Sequence, residues 1–185
     1  MKNKNKIILT IIIALVVVGL AFLIPKNSGE YEDFAKFLAK KEVKIYGAFW
    51  CSHCQAQRNM FNSGKKYLSY VECSTSDARD QLQVCKDALI ESYPTWVLPI
   101  EVFIISDNQP IVCEIDSQKE ECVNLNSQYF KTWYFPGYTF LIKNKEDPIK
   151  DGNLWKFKPG SHLSGEIPIE FLTAQMNYEL HSDTK

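Results

Sequence analysis

The sequence places two cysteines, Cys51 and Cys54, two residues apart and directly after the apolar run at residues 45–50. An apolar, β-prone run followed by a helical pattern indicates a strand that leads into a helix. Cys51 then lies at the helix N-terminus, where free backbone N–H groups and the positive end of the helix dipole stabilise a thiolate. Cys54 lies one helical turn further on, close enough to bond Cys51. This arrangement indicates reversible dithiol–disulfide chemistry, with Cys51 as the exposed nucleophile and Cys54 as the resolving partner.

Two other roles are open to this pair, a structural disulfide and one half of a zinc site. Zinc would need two further ligands. The sequence has no second Cys-x-x-Cys motif, and no two of its histidines are closely spaced, as zinc ligands usually are. We therefore expect no metal, and no cofactor other than the Cys51–Cys54 disulfide itself. His53 lies between the cysteines, where a partly positive imidazole would stabilise the thiolate and so make the disulfide a stronger oxidant. The alternative for His53 is an exposed polar side chain that only favours helix entry.

Residues 7–24 form an uninterrupted apolar run without a charge. At about 1.5 Å per residue, a helix of this length spans roughly 27 Å, just enough for the hydrocarbon core of a membrane. Lysines at positions 2, 4 and 6 precede it, so we expect residues 1–6 to be a cytoplasmic tail and the body of the chain to be translocated. The run ends without a small-x-small pair, which favours an uncleaved anchor over a cleaved signal peptide and secretion. Residues 25–29 are then a linker, and residues 30–185 the folded domain.

Six cysteines in an exported domain of this size indicate an oxidising compartment. Six cysteines allow fifteen connectivities, and local spacing favours the pairs Cys51–Cys54, Cys73–Cys85 and Cys113–Cys122. We expect the second and third pairs to be structural, with an electron relay as the alternative role of Cys73–Cys85. Without the lysines near the N-terminus the body is mildly acidic, which gives no electrostatic reason to expect a nucleic acid partner.

Hydrophobic periodicity predicts the remaining elements. Before residue 99 these are a helix over 30–41, a strand over 43–49, a helix over 54–68, a strand over 67–73, a helix over 80–90, and a turn into a strand over 93–98. Beyond it are a hairpin joining 102–105 to 111–114, one or two strands within 129–142, a strand over 154–158 and a helix over 167–180. Gln57 and Arg58 are predicted to face outward from their helix. His162 and His181 are isolated, and we expect both to be solvated.

The order of these elements resembles the thioredoxin fold, and Tyr93-Pro94-Thr95 resembles the cis-proline loop of that fold. Residues 46–55, 70–73 and 93–96, together with Cys85, resemble the thioredoxin-like domain of bacterial and plant vitamin K epoxide reductase homologues. The resemblance covers about residues 34–97. It implies an α/β fold, with a central mixed sheet, flanking helices, and an insertion at about 99–151 before the closing strand and helix. A rival alignment places the cis proline at Pro136.

The resemblance implies a Dsb-type thiol–disulfide oxidoreductase, more an oxidase than a reductase, acting on exported proteins. Its substrate-contacting residues would be Trp50, Tyr93, Pro94 and Thr95. This chain has one candidate membrane span, so the quinone reductase that re-oxidises such a domain must be a separate membrane protein. A reductase or isomerase of the same fold is one alternative, and a non-enzymatic protein-binding or Cu(I)-binding module is another.

The same resemblance leaves one gap in the predicted site. Many thioredoxin-fold proteins hold a buried carboxylate beneath the resolving cysteine. The matching position here is Ile45, which cannot transfer a proton. Proton transfer to Cys54 must therefore use water or another group.

Overall fold

The computed structural model describes residues 28–125 and 127–180. The predicted cytoplasmic tail at 1–6, the predicted anchor at 7–24, most of the linker and His181 lie outside these ranges, so those assignments stay predictions. Across the two described ranges, no helix is both long and apolar enough to cross a membrane.

The described residues form four α-helices and two β-sheets. The helices are α1 (Ser28–Lys40), α2 (Ser52–Asn59), α3 (Gln83–Asp87) and α4 (Ile169–Gln175). The strands are β1 (Lys44–Gly47), β2 (Ser69–Glu72), β3 (Thr95–Val97), β4 (Val102–Ile105), β5 (Ile111–Cys113), β6 (Lys131–Tyr134), β7 (Phe140–Asn144), β8 (Ile149–Asp151), β9 (Leu154–Phe157) and β10 (His162–Gly165). Seven strands pair in the order β2-β1-β3-β10-β7-β6-β5, and the other three in the order β4-β9-β8.

Four neighbouring strands of the larger sheet, β2, β1, β3 and β10, position the cysteine motif and the proline loop. β1 runs parallel to β2 and antiparallel to β3, and β10 runs antiparallel to β3. Alternate side chains of β1 point to opposite faces. Ile45 joins the core formed with α1 and α4, whereas Tyr46 packs with Cys85 of α3. Helices therefore flank both faces of a mixed sheet. The prediction of an α/β fold with a central mixed sheet is confirmed, and the arrangement is compatible with a thioredoxin-like fold.

The hairpin predicted between residues 102 and 114 is wrong. β4 pairs with β9 in the smaller sheet, and β5 pairs with β6 in the larger one. The buried side chains Val102 and Ile104 of β4 lie opposite Phe157 and Trp155 of β9, so a long-range apolar match decides the pairing. The turn residues at 107–110 therefore join two sheets rather than two arms of one hairpin.

The strand that closes the core is β10, and not the segment predicted at 154–158, which is β9 of the smaller sheet. β10 has the sequence His-Leu-Ser-Gly, in which Leu163 is the one strongly apolar side chain. Such a short, polar segment carries little strand signal. It is buried because β3 and β7 pair with it on both sides. The chain that separates β3 from its closing partner thus extends past residue 151, to residue 161.

The helix predicted over 54–68 divides into α2 and a 3₁₀-helix, Asn62–Tyr67. Gln57, predicted to face outward, is fully buried in α2. Its side-chain amide donates to the carbonyl of Ile167 and accepts from the N–H of the same residue. A buried amide is tolerated when its hydrogen bonds are made. This contact fixes α2 against the segment that follows β10.

Two disulfides connect elements of the described chain. Cys73, just after β2, bonds to Cys85 of α3, and Cys113 of β5 bonds to Cys122 of a 3₁₀-helix. All four sulfurs belong to buried residues. Closing a loop of this length lowers the entropy of the unfolded chain and stabilises the fold by about 3 kcal/mol per bond.

His162 is buried, contrary to the expectation that it is solvated. Its ring lies 4.5 Å from that of Phe130, centroid to centroid. Burial lowers the pKa of His162 to about 4, and the positive charge of Lys143 acts in the same direction. The neutral imidazole is therefore the form that the folded chain holds.

This burial predicts an acid-sensitive contribution to stability. Because the pKa of His162 is lower folded than unfolded, the unfolded chain binds a proton more tightly between about pH 4 and 6.5, and stability is lost as the pH falls through that window. From pH 7 to pH 5, urea denaturation should show a free energy of unfolding that falls about 2 kcal/mol more for the wild type than for His162→Phe. Parallel pH profiles for the two proteins would contradict this.

Candidate active site

Cys51 and Cys54 lie at the start of α2, immediately beyond the end of β1. Cys51 is the N-cap residue, with an extended backbone, and its sulfur accepts a hydrogen bond from the backbone N–H of Cys54 at 3.2 Å. The Cys51 N–H donates to the carbonyl of Ala48 and so closes the turn that leads out of β1. The Cys51 sulfur is thus held where the helix favours a negative charge. Both cysteines are free thiols in this structure.

The two sulfurs differ in access to solvent. Cys51 is 8% exposed, whereas Cys54 is 1% exposed. Burial, and then the hydrogen bond with Cys51, raise the pKa of Cys54 to about 12. Cys54 is therefore a thiol at neutral pH, and Cys51 is the sulfur that a substrate can reach.

The proline loop lies against the Cys51 sulfur. The Tyr93–Pro94 peptide bond is cis, whereas the rival proline, Pro136, does not follow a cis bond. The Cys51 sulfur lies 3.8 Å from the carbonyl oxygen of Tyr93. Thr95 begins β3, and its hydroxyl bonds to Ser164 of β10. The structure therefore brings Tyr93, Pro94 and Thr95 together with the cysteine pair.

Two aromatic side chains form an exposed rim beside Cys51. Trp50 is 53% exposed, its indole N–H donates to the Ser74 hydroxyl at 2.8 Å, and its ring meets that of Tyr93 edge-on. Phe49, which the sequence interpretation missed, is 49% exposed. A carboxylate oxygen of Glu72 accepts from the backbone N–H groups of Phe49 and Ser74 and so holds this turn. The two neighbouring aromatic rings form an exposed apolar patch beside the cysteine pair.

His53 contacts a residue that the sequence gave no reason to select. Its Nδ1 lies 2.7 Å from a carboxylate oxygen of Glu166, which follows β10, and its side chain is 72% exposed. Residues more than a hundred positions apart form this pair, so no local pattern could have indicated it.

An open groove with a volume of about 920 Å³ extends from His53 and the proline loop. It is lined by Tyr31, His53, Met60, Asn62, Tyr93, Pro94, Thr139, Gly165, Glu166, Pro168, Ile169 and Glu170. Apolar side chains and the cis-proline loop dominate the lining, which also includes the carboxylates of Glu166 and Glu170. Such a groove suits an extended peptide that approaches Cys51. Within residues 28–125 and 127–180, no group of three or more His, Cys, Asp or Glu side chains is placed to hold a metal ion.

Part of the chain is similar to a plant redox protein. It is 46% identical over 68 residues to the thiol-disulfide oxidoreductase LTO1 of Arabidopsis thaliana. The match covers 35% of this chain and 18% of that relative. No protein-family model matches the chain. Over a short stretch, the chain therefore resembles a protein named for thiol–disulfide exchange.

The unequal burial of the two sulfurs predicts selective alkylation. With limiting iodoacetamide near neutral pH, the reduced chain should be modified first at Cys51, because Cys54 is buried and its pKa is raised to about 12. Mass spectrometry of tryptic peptides, with protein unfolded in urea as the control, should show Cys51 preferred by more than about tenfold only in the folded chain. Equal labelling of both cysteines in the folded protein would contradict the assignment.

Proposed function

We propose that this protein is a thiol–disulfide oxidoreductase in which Cys51 and Cys54 alternate between a disulfide and a dithiol. The observation that carries the proposal is the position of the Cys51 sulfur, held by a helix N-terminus and 3.8 Å from the Tyr93 carbonyl beside a cis proline. The name of the Arabidopsis relative supports the same chemistry.

The oxidised form starts the proposed cycle. A substrate thiolate attacks the Cys51 sulfur, the Cys51–Cys54 bond breaks, and Cys54 leaves with the electron pair and takes up a proton. A second substrate thiolate then attacks the substrate sulfur of the mixed disulfide and releases Cys51 as a thiolate. Two electrons pass from the substrate to the cysteine pair, and the same steps in reverse reduce a substrate disulfide.

Substrate binding would use the surfaces around Cys51. The exposed rings of Phe49 and Trp50 offer apolar contact on one side, and the groove offers it on the other. The backbone of Tyr93 lies between them and can pair with an extended peptide in the manner of an added strand. Such backbone contacts accept many sequences, which suits an enzyme that acts on a range of protein thiols.

We further propose that the enzyme is anchored by residues 7–24, faces an oxidising compartment and oxidises exported protein thiols. Two buried disulfides besides the cysteine pair are typical of that compartment. The N–H of Cys54 stabilises the reduced form through Cys51, which makes the disulfide the stronger oxidant. A separate membrane quinone reductase would restore the disulfide.

Single-cysteine variants test the proposed chemistry in the full-length chain. Reduced Cys54→Ser should accumulate a mixed disulfide with a peptide that carries a disulfide, because Cys51 attacks that disulfide and the resolving sulfur is missing, whereas Cys51→Ser should form none. Non-reducing electrophoresis and turnover of the peptide measure both effects. The proposal fails if Cys51→Ser retains wild-type turnover, or if the reduced wild type binds Cu(I) tightly and exchanges no disulfide.

Equilibration with glutathione buffers tests the direction of electron flow. We expect the reduction potential of the Cys51–Cys54 pair to lie nearer about −120 mV, typical of strongly oxidising dithiol proteins, than about −270 mV, typical of strongly reducing ones. His53→Ala should shift the equilibrium toward the disulfide by about tenfold, roughly 30 mV, because it removes the imidazole that lies between the two cysteines and contacts Glu166. Glu166→Gln is the matched variant and should move the potential in the same direction by less. A wild-type value at the reducing end would favour a reductase.

A further inference from the structure

A tyrosine hydroxyl lies beneath Cys54, in space that Gly47 leaves free. A Cβ placed on Gly47 would lie 2.7 Å from the Cys54 sulfur and 2.8 Å from the Tyr70 hydroxyl oxygen. The two polar atoms therefore flank one small space on the same face of β1. Tyr70 reaches it from β2, where it pairs with Ile45, the residue at the position that holds a carboxylate in many thioredoxin-fold proteins.

The groups around this hydroxyl are few and identifiable. The guanidinium of Arg58, one helical turn beyond Cys54, lies over the Tyr70 ring, 4.4 Å from its centre. Glu72 and Cys51 are the other charged or titratable groups that act on both Tyr70 and Cys54. The Glu72 carboxylate already accepts two backbone N–H groups. The Tyr70 hydroxyl is thus a hydrogen-bond donor that faces the Cys54 sulfur across the space at Gly47.

We propose that the Tyr70 hydroxyl donates a hydrogen bond to the Cys54 sulfur as that sulfur leaves, and so assists thiol–disulfide exchange. This inference rests on the proposed function of the cysteine pair. As the substrate–Cys51 bond forms, the Cys51–Cys54 bond breaks and its electron pair goes to Cys54. The Tyr70 hydroxyl keeps its own proton and only donates a hydrogen bond to that sulfur. The proton that Cys54 finally takes up comes from solvent.

The electrostatics of the site agree with a donor in this position. Burial raises the pKa of Tyr70, and the negative charges of Glu72 and Cys54 raise it further, so the hydroxyl keeps its proton. Burial also makes an unassisted Cys54 thiolate costly, as the raised pKa of that cysteine shows. A hydrogen bond to the developing charge offsets this cost where no buried carboxylate is present.

A contact made in the transition state changes rates and not the equilibrium. The reverse reaction, attack of Cys54 on the mixed disulfide, passes through the same transition state and gains equally. Removal of the hydroxyl should therefore slow exchange in both directions and leave the glutathione equilibrium in place. A residue that only supports the fold would not separate these two quantities.

The test compares Tyr70→Phe with Tyr67→Phe, a matched loss of a phenol hydroxyl from the neighbouring 3₁₀-helix, in the full-length chain. The rate at which dithiothreitol reduces the Cys51–Cys54 disulfide should fall about tenfold in Tyr70→Phe and stay at the wild-type value in Tyr67→Phe. The glutathione equilibrium should agree within about twofold across all three proteins. Alkylation of Cys51 in the reduced chain, which needs no departure of Cys54, should be equally fast in all three.

Equal reduction rates in the two variants would overturn the role of Tyr70 and leave the proposed function intact. A shift of the glutathione equilibrium as large as the loss of rate would also overturn it, because the hydroxyl would then act on a resting state. A wild-type chain that exchanges no disulfide would overturn the proposed function itself, before any variant is compared.

Discussion

The hydrogen bond from the Cys54 N–H to the Cys51 sulfur depends on how β1 ends. β1 stops at Gly47, the turn closes through Ala48, and α2 then begins directly after Cys51. The Cys73 N–H donates to the Gly47 carbonyl, so pairing between β1 and β2 continues to the last residue before the turn. The cysteine pair is therefore positioned by the sheet, and α2 supplies the electrostatic preference for a thiolate.

The other half of the site comes from the opposite side of β1. The Tyr93–Pro94 bond lies just before β3, and the N–H of Gly165 in β10 donates to the Pro94 carbonyl. Gly165 has a φ of +126°, and a Cβ there would lie 2.8 Å from the Thr139 carbonyl oxygen. Glycine therefore allows the end of β10 to lie close to Thr139 and Phe140. The next residue is Glu166, the partner of His53. Gln57 then bonds α2 to Ile167, which keeps α2 at a fixed distance from the segment that follows β10.

The parts of this arrangement that the sequence predicted are the local ones. Cys51 and Cys54 define a strand–helix junction within ten residues, and Tyr93-Pro94-Thr95 marks a turn into a strand. Each depends on neighbouring residues, which a pattern of spacing can reveal. The mixed sheet was expected because the order of these local elements resembles the thioredoxin fold.

The parts that the sequence did not predict are set by long-range pairing. β4 and β5 look like hairpin arms, yet each pairs with a strand further along the chain, β4 with β9 and β5 with β6, because the apolar faces match there. Gln57 is a polar residue that the helical pattern places on the outer face. Its burial is favourable only because its amide bonds to the backbone of Ile167. Tyr70 looks like an ordinary strand residue until Gly47 and Cys54 are seen on the same face.

The segment between β3 and β10 contributes to the site as well as to the size of the protein. The buried Lys143 of β7 forms an ion pair with Glu91, two residues before Tyr93, and the hydroxyl of Ser127 and the N–H of Gln128 also donate to that carboxylate. Burial opposes ionisation of Glu91, but these hydrogen bonds and the Lys143 charge prevail and lower its pKa. Loss of Glu91 would leave the Lys143 ammonium without its ion-pair partner in a buried position, so the pair resists separation. β7 and the residues before β6 therefore hold the proline loop through Glu91, and β10 holds it through the hydrogen bond to the Pro94 carbonyl. Together these contacts keep the Tyr93 carbonyl next to the Cys51 sulfur.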